Sequence, residues 1–86
     1  MKELERTLKA LANRRRLAIV RSLKEAGELS VSEIAERIHL SLKATSKHLG
    51  VLTAADIVER EQRSLRMIYS LSVQQPDAAK GVLRLL

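Results

Sequence analysis

The chain has 86 residues, a formal net charge of +6 and no cysteine, which makes one small domain with a marginal core and excludes both disulfide staples and thiolate metal sites. Oligomerisation is then the expected supplement to the core, and the excess of cations, with a pI near 10.3, points to a polyanionic partner. The single aromatic, Tyr69, disfavours RNA modules that stack bases on Phe and Tyr, and without a long apolar run or a signal-peptide pattern the expectation is a cytoplasmic chain with no membrane partner.

From Lys2 to Ala12, Leu4, Leu8 and Leu11 recur at helical spacing and form one narrow apolar stripe on a charged helix. Asn13 is an N-cap candidate for a second helix running to about Ala26, where Gly27 would stop it. Its expected core face is Leu17, Val20 and Leu23, with Ile19 flanking. Arg14, Arg15 and Arg16 crowd the first turn, where the helix dipole disfavours cations. Two readings stay open there: a solvated basic turn, or phosphate contact beside a nucleic-acid groove, for which Arg16 is the candidate.

The third helix carries a capping box, Ser30 with Glu33, and Leu29 before the cap can staple onto Ile34. Its inner face is Val31, Ile34, Ala35 and Ile38. Only His39 and Leu40 separate it from Ser41, the N-cap of a fourth helix extending to about Ala55. Projected at 100° per residue, that helix places Thr45, Leu49 and Leu52 on one stripe with His48 at its edge, and Lys43, Ser46, Lys47, Gly50 and Ala54 opposite. The outer face is small and basic and holds no acid, a pattern suited to close approach to a polyanion. Two short helices joined by such a turn predict a helix-turn-helix whose second helix enters the major groove.

After Asp56 the period changes from 3.6 to 2. Ile57 to Glu61 and Arg66 to Leu71 read as two strands, with Gln62 to Leu65 as the hairpin tip. This hairpin is a wing in which Arg63, Ser64 and Arg66 are candidate backbone or minor-groove contacts; the bland reading, a charged tip kept for solubility, stands beside it. Pro76 opens a last helix from about Asp77 to Leu85, with Ala79, Val82, Leu83 and Leu86 near one face. The apolar stripes at the two ends of the chain predict a shared interface, within one subunit or between two. The expected fold class is therefore mainly α with a small β-hairpin, a winged helix-turn-helix of about five helices and a two-stranded wing, forming a single domain over residues 1–86.

The stretches LKALANRRRLAIVRSL, GELSVSEIAERI, SLKATSKHLGVL and IVEREQRSLRMIYSL, in this order and spacing, resemble the arsenic-repressor (ArsR) family of winged helix-turn-helix transcription regulators. The resemblance covers residues 8 to 71. It implies a homodimer pairing through its terminal helices, with Leu4, Leu8, Leu11 and Val82, Leu83, Leu86 as the candidate contacts, bound to a palindromic operator as a repressor. Base-reading positions correspond to Leu42, Lys43, Ser46 and Lys47, and the wing over about 61–66 supplies Arg63, Ser64 and Arg66; Ser41, by its own cap chemistry beside the free amides of the first turn, is a candidate phosphate site. His48 matches a histidine common in the family motif, and its place at the core edge favours a packing or hydrogen-bonding role.

The departures from the family concern metal. Ser30 and Ser32 stand where many metal-sensing members have cysteines, and the last helix offers only Asp77 where others have carboxylates and histidines. No metal and no cofactor are therefore expected. The chain shows no nucleophile and base at recognisable spacing, no Gly-rich phosphate loop and no metal cluster, so an enzyme is not expected either. The competing reading is a winged-helix protein-interaction module with little or no specific DNA binding, docking through Leu42 and the terminal helices.

Overall fold

The computed structural model describes all 86 residues. Five helices and three strands follow in the order α1 (Lys2–Leu11), α2 (Arg14–Ala26), β1 (Glu28–Ser30), α3 (Val31–Ile38), α4 (Leu42–Ala54), β2 (Val58–Arg63), β3 (Arg66–Leu71) and α5 (Asp77–Leu83). The helix boundaries follow local chemistry. Asn13 accepts from the backbone N–H groups of Arg15 and Arg16, Ser30 and Glu33 close a reciprocal capping box, and the Ser41 hydroxyl accepts from Ala44 N–H at 3.1 Å.

Three of the five helices are followed by a positive-φ residue, and two of these residues are not glycine. Gly27 has φ 87° after α2, while His39 (φ 55°) follows α3 and Asp56 (φ 59°) follows α4. At His39 the Leu40 N–H donates to the carbonyl of Ala35, and at Asp56 the Ile57 N–H donates to that of Leu52. Each is a Schellman closure, which satisfies the last carbonyls and turns the chain within one residue. That sharp reversal at His39 holds α3 and α4 as a helix-turn-helix.

The sheet has a third strand that the sequence reading lacks. β1 pairs antiparallel with β3, Leu29 opposite Tyr69, and the strand order is β1-β3-β2. The hairpin is tighter than expected: β2 continues to Arg63, which pairs with Arg66, so the tip is only Ser64 and Leu65. Ser64 takes the positive φ (58°) usually given to glycine or asparagine at such a turn. Pairing of Gln62 with Met67 and Arg63 with Arg66 outweighs that cost.

The core lies between α2, α3, α4 and the inner face of the sheet, with α1 and α5 closing one side. Ile19, Val20, Leu23, Ile34, Leu49, Leu52, Ile57 and Val58 are fully or almost fully buried. Ile19, expected at the flank of α2, is central, and Leu17, expected central, is half-buried. The reason is the partner set: α2 packs against α1, α3, α4 and β3, so its buried arc is displaced from the arc its own sequence pattern favours. Helix α5 ends at Leu83, two residues before the expected Leu85. Leu11 and Leu83 are buried within the protomer core, at 3% and 7% exposure. They are therefore removed from the predicted dimer contacts. Leu4 and Leu8 remain 43% and 48% exposed on the outer side of α1.

Candidate nucleic-acid interface

Helix α4 is oriented by its apolar stripe. Thr45, Leu49 and Leu52 have no exposed surface, and burying two leucines contributes ~1.5–3 kcal/mol each. Rolling the helix by one residue would bring both toward water, so the opposite face is fixed outward. Lys43, Ser46, Lys47, Gly50 and Ala54 all lie on that exposed face, with Leu42 54% exposed at the first turn. No carboxylate pairs with Lys43 or Lys47. A Cβ on Gly50 would meet nothing within 4 Å, so the glycine is not required by internal packing; it leaves the middle of the face low. The free N–H groups of the first turn, beside Ser41, complete a surface of donors suited to an anionic partner.

Behind this helix sits a clamp made by Arg16. Its Nε donates to the Ala10 carbonyl at 2.6 Å, its Nη2 to the Lys9 carbonyl at 3.3 Å, and its Nη1 to Nδ1 of His48 at 3.2 Å. One planar guanidinium thus joins the end of α1, the start of α2 and the middle of α4. The structure places Arg16 inside the scaffold, with its donors directed at internal acceptors. A donor on Nδ1 requires the neutral tautomer of His48 with its proton on Nε2. Burial of the ring, followed by the nearby charges of Arg16, Lys47 and Arg15, lowers the His48 pKa below its ordinary value. His48 has the hydrogen-bonding role expected from its place at the core edge.

The wing arginines are also engaged. Arg63 makes a two-pronged pair with Glu28 (2.6 and 3.0 Å) and a further contact with Glu61, and Arg66 reaches Glu33 at 3.2 Å. These pairs lie across the outer face of the sheet and tie the wing to β1 and α3. The hydrogen bond from Arg63 holds the Glu28 carboxyl below the usual carboxylate range, and the Ser30 N–H does the same for Glu33. Only Ser64, at the tip, stands free among the three predicted wing residues. Arg60 is also exposed on β2 and has no carboxylate partner; strict alternation from buried Val58 predicts it inward, but the strand leaves the core before reaching it.

No group of three His, Cys, Asp or Glu side chains lies close enough to hold a metal ion. Ser30, at the position of a metal-binding cysteine in the resembling family, has its hydroxyl occupied as the α3 cap. The residues present do not fit that metal site. No helix is long and apolar enough to cross a membrane.

A helix-turn-helix with an outward, basic second helix, followed by a hairpin tied to the same core, defines the protein as a winged helix-turn-helix. The helix-turn-helix domain family matches residues 11–61, and the chain belongs to the ArsR-type family of winged helix-turn-helix transcriptional regulators. It is 35% identical to reduced HlyU from Vibrio cholerae, with a TM-score of 0.85 over 99% of this chain and 85% of that one. It is 32% identical to the transcriptional repressor BigR from Xylella fastidiosa, with a TM-score of 0.83 over 99% and 83% of the two chains. A homodimeric winged helix-turn-helix DNA-binding domain from Mycobacterium bovis, described as a possible ArsR-family transcriptional regulator, is 30% identical, with a TM-score of 0.84 over 98% of this chain and 74% of that one. Comparison with curated protein sequences gives no match.

Proposed function

We propose that the protein is a homodimeric repressor that binds a palindromic operator without a metal. The observation that carries this reading is the outer face of α4, where Lys43, Ser46 and Lys47 are exposed together with no carboxylate among them. Two such helices related by a two-fold axis would enter major grooves about one turn, ~34 Å, apart. Lys43, Ser46 and Lys47 would meet base edges, Leu42 would contact a thymine methyl, and Ser41 with the first-turn N–H groups would hold a phosphate. The wing would add Ser64 and, by exchanging carboxylate for phosphate, Arg63 and Arg66. Arg16 is assigned to positioning α4.

The dimer contact follows from the exposed half of the α1 stripe. Leu4 and Leu8 lie with Met1 and Ala12 in one shallow apolar depression of about 310 Å³, whereas the half-buried Val82 packs on the protomer's own core and Leu86 lies against α2 and the end of α3. The homodimeric relative from Mycobacterium bovis supports pairing. The test is fluorescence anisotropy with duplex DNA from upstream of the protein's own gene against a scrambled duplex, at two salt concentrations. A preference of ~10³-fold or more for the upstream duplex is expected, with a loss of ~1–3 kcal/mol in Lys47→Ala. Leu8→Glu is expected to sediment as a folded monomer with weakened operator affinity. Absence of binding to any duplex at low salt would remove the repressor reading in favour of a protein-interaction module.

A further inference from the structure

A groove of about 640 Å³ runs along α2, between that helix, the end of α3 and Leu86. Its floor is apolar, made by Leu17, Ala18 and Ile38, and its rim is cationic. Four arginines line it, Arg14 and Arg15 toward the helix-turn-helix and Arg21 and Arg37 toward the other end, against a single carboxylate, Glu25. That carboxylate lies 3.6 Å from Arg21 and 3.9 Å from Arg37. Arg14 and Arg15 therefore have no carboxylate partner. The volume is that of a small-molecule site, and arginines over an apolar floor select a molecule with an oxyanion head and a compact apolar body.

We propose that this groove is an effector site for a small amphiphilic anion, a phosphate or carboxylate on an apolar body, and that its occupancy is transmitted to the recognition helix through Arg15. The path is short. Nη1 of Arg15 donates to the carbonyl of Ile38 at 3.3 Å, and Ile38 is the last residue of α3, immediately before the left-handed His39 and the Ser41 cap of α4. An anion seated between Arg14 and Arg15 competes for that donor, releasing the carbonyl that helps fix the turn and the angle of α4. Binding of the anion therefore weakens operator binding, and operator binding weakens the anion by the same factor.

The groove favours a small molecule over a DNA backbone as the source of the oxyanion. It follows α2 from Arg14 to Glu25, about 16 Å at helical rise, leading away from the α3–α4 turn toward Leu86. It is concave and apolar-floored, and it contains Glu25, which would repel a phosphate chain laid along it. A hydrated backbone phosphate uses none of the apolar floor.

The transmitted half of the proposal rests on the operator-binding reading, whereas the binding half does not, so the experiment has two arms. In the first, phenyl phosphate, inorganic phosphate and phenol are titrated calorimetrically into the full chain without DNA. Phenyl phosphate is expected to bind with a Kd of ~1 mM or tighter, inorganic phosphate and phenol at least ~5-fold more weakly, and Arg14→Gln to lose ~10-fold in phenyl phosphate affinity. Arg14 is exposed and makes no internal hydrogen bond, so this variant keeps its fold, and Ala18→Leu, which fills the floor, gives a second variant with the same expected loss. Equal binding by wild type and both variants, or none by wild type, overturns the site. In the second arm, saturating phenyl phosphate is expected to lower affinity for the operator duplex by ~5-fold or more in wild type and not in Arg14→Gln. An unchanged affinity overturns the transmission. Loss of operator affinity in Arg14→Gln without phenyl phosphate, with a shallower salt dependence, would assign these arginines to the DNA backbone and overturn the effector site. If no duplex binds, the operator reading fails while the calorimetric result stands.

Discussion

Removing the Arg16 guanidinium separates its two readings, clamp and DNA contact. The side chain makes three hydrogen bonds, at 2.6, 3.2 and 3.3 Å, to Ala10, His48 and Lys9. A hydrogen bond involving a charged group contributes ~1.5–3 kcal/mol, but the longer bond to Lys9 is solvent-exposed and the three share one ion, so they do not add. The expected cost of Arg16→Gln is ~2–3 kcal/mol, most of it from the part-buried Ala10 carbonyl and His48 ring. In a domain of this size each kcal/mol moves Tm by ~4–8 °C, so the melting point should fall by roughly 10–20 °C. Arg16→Lys should recover little, because an ammonium cannot span the end of α1 and His48 at once. The check is urea and thermal unfolding at fixed protomer concentration, since dimerisation links stability to concentration. A second readout is the NMR titration of His48. Its pKa is lowered partly by the Arg16 charge, so Arg16→Gln should raise it. A variant as stable as wild type, with an unmoved His48 titration and lost operator affinity, would refute the clamp and return Arg16 to the DNA surface.

Three further outcomes follow from the same geometry. Gly50→Ala, at an exposed helix position with open space around it, should raise stability by ~0.8–1 kcal/mol through helix propensity while weakening operator binding; unchanged binding would mean that DNA does not approach this part of α4. Thr45 is fully buried and its hydroxyl has no partner, so Thr45→Val should be neutral or stabilising by ~1 kcal/mol in urea unfolding, and a marked loss would reveal a hydrogen bond to that hydroxyl. Stability should also fall with acid in two stages. The lowered His48 pKa means that the unfolded chain binds a proton the fold refuses, so its contribution is full above ~6.5 and is lost as pH drops through the folded value. Glu28 and Glu33, also lowered, contribute above ~4.5 and lose that contribution below it. Unfolding midpoints measured across this range should show His48→Gln level in the upper window and falling only in the lower; a wild-type-like slope in the upper window would contradict the His48 assignment.

The elements that were legible in the sequence are those set by neighbours along the chain. The Asn13 cap, the Ser30–Glu33 box, the Ser41 cap and the stripe of Thr45, Leu49 and Leu52 are local signals, because a cap bonds within three residues and a helix face is defined by period. These determined the helix-turn-helix, the outward placement of Lys43, Ser46 and Lys47, and with the hairpin pattern the family resemblance. Tertiary structure alone decided what depends on partners distant in sequence. β1 exists because Leu29 meets Tyr69 across the sheet, and three residues carry no period of their own. Leu11 and Leu83 went to the protomer's core and Leu4 and Leu8 to its surface because α1 packs against α5 at one angle, which a stripe of leucines does not specify. Arg16, Arg63 and Arg66 look alike in sequence as basic residues near a groove. Their acceptors, Ala10 and His48 for the first and Glu28, Glu61 and Glu33 for the others, are mostly brought within reach only by folding, and a guanidinium takes its role from the oxygen or nitrogen that the fold sets before it.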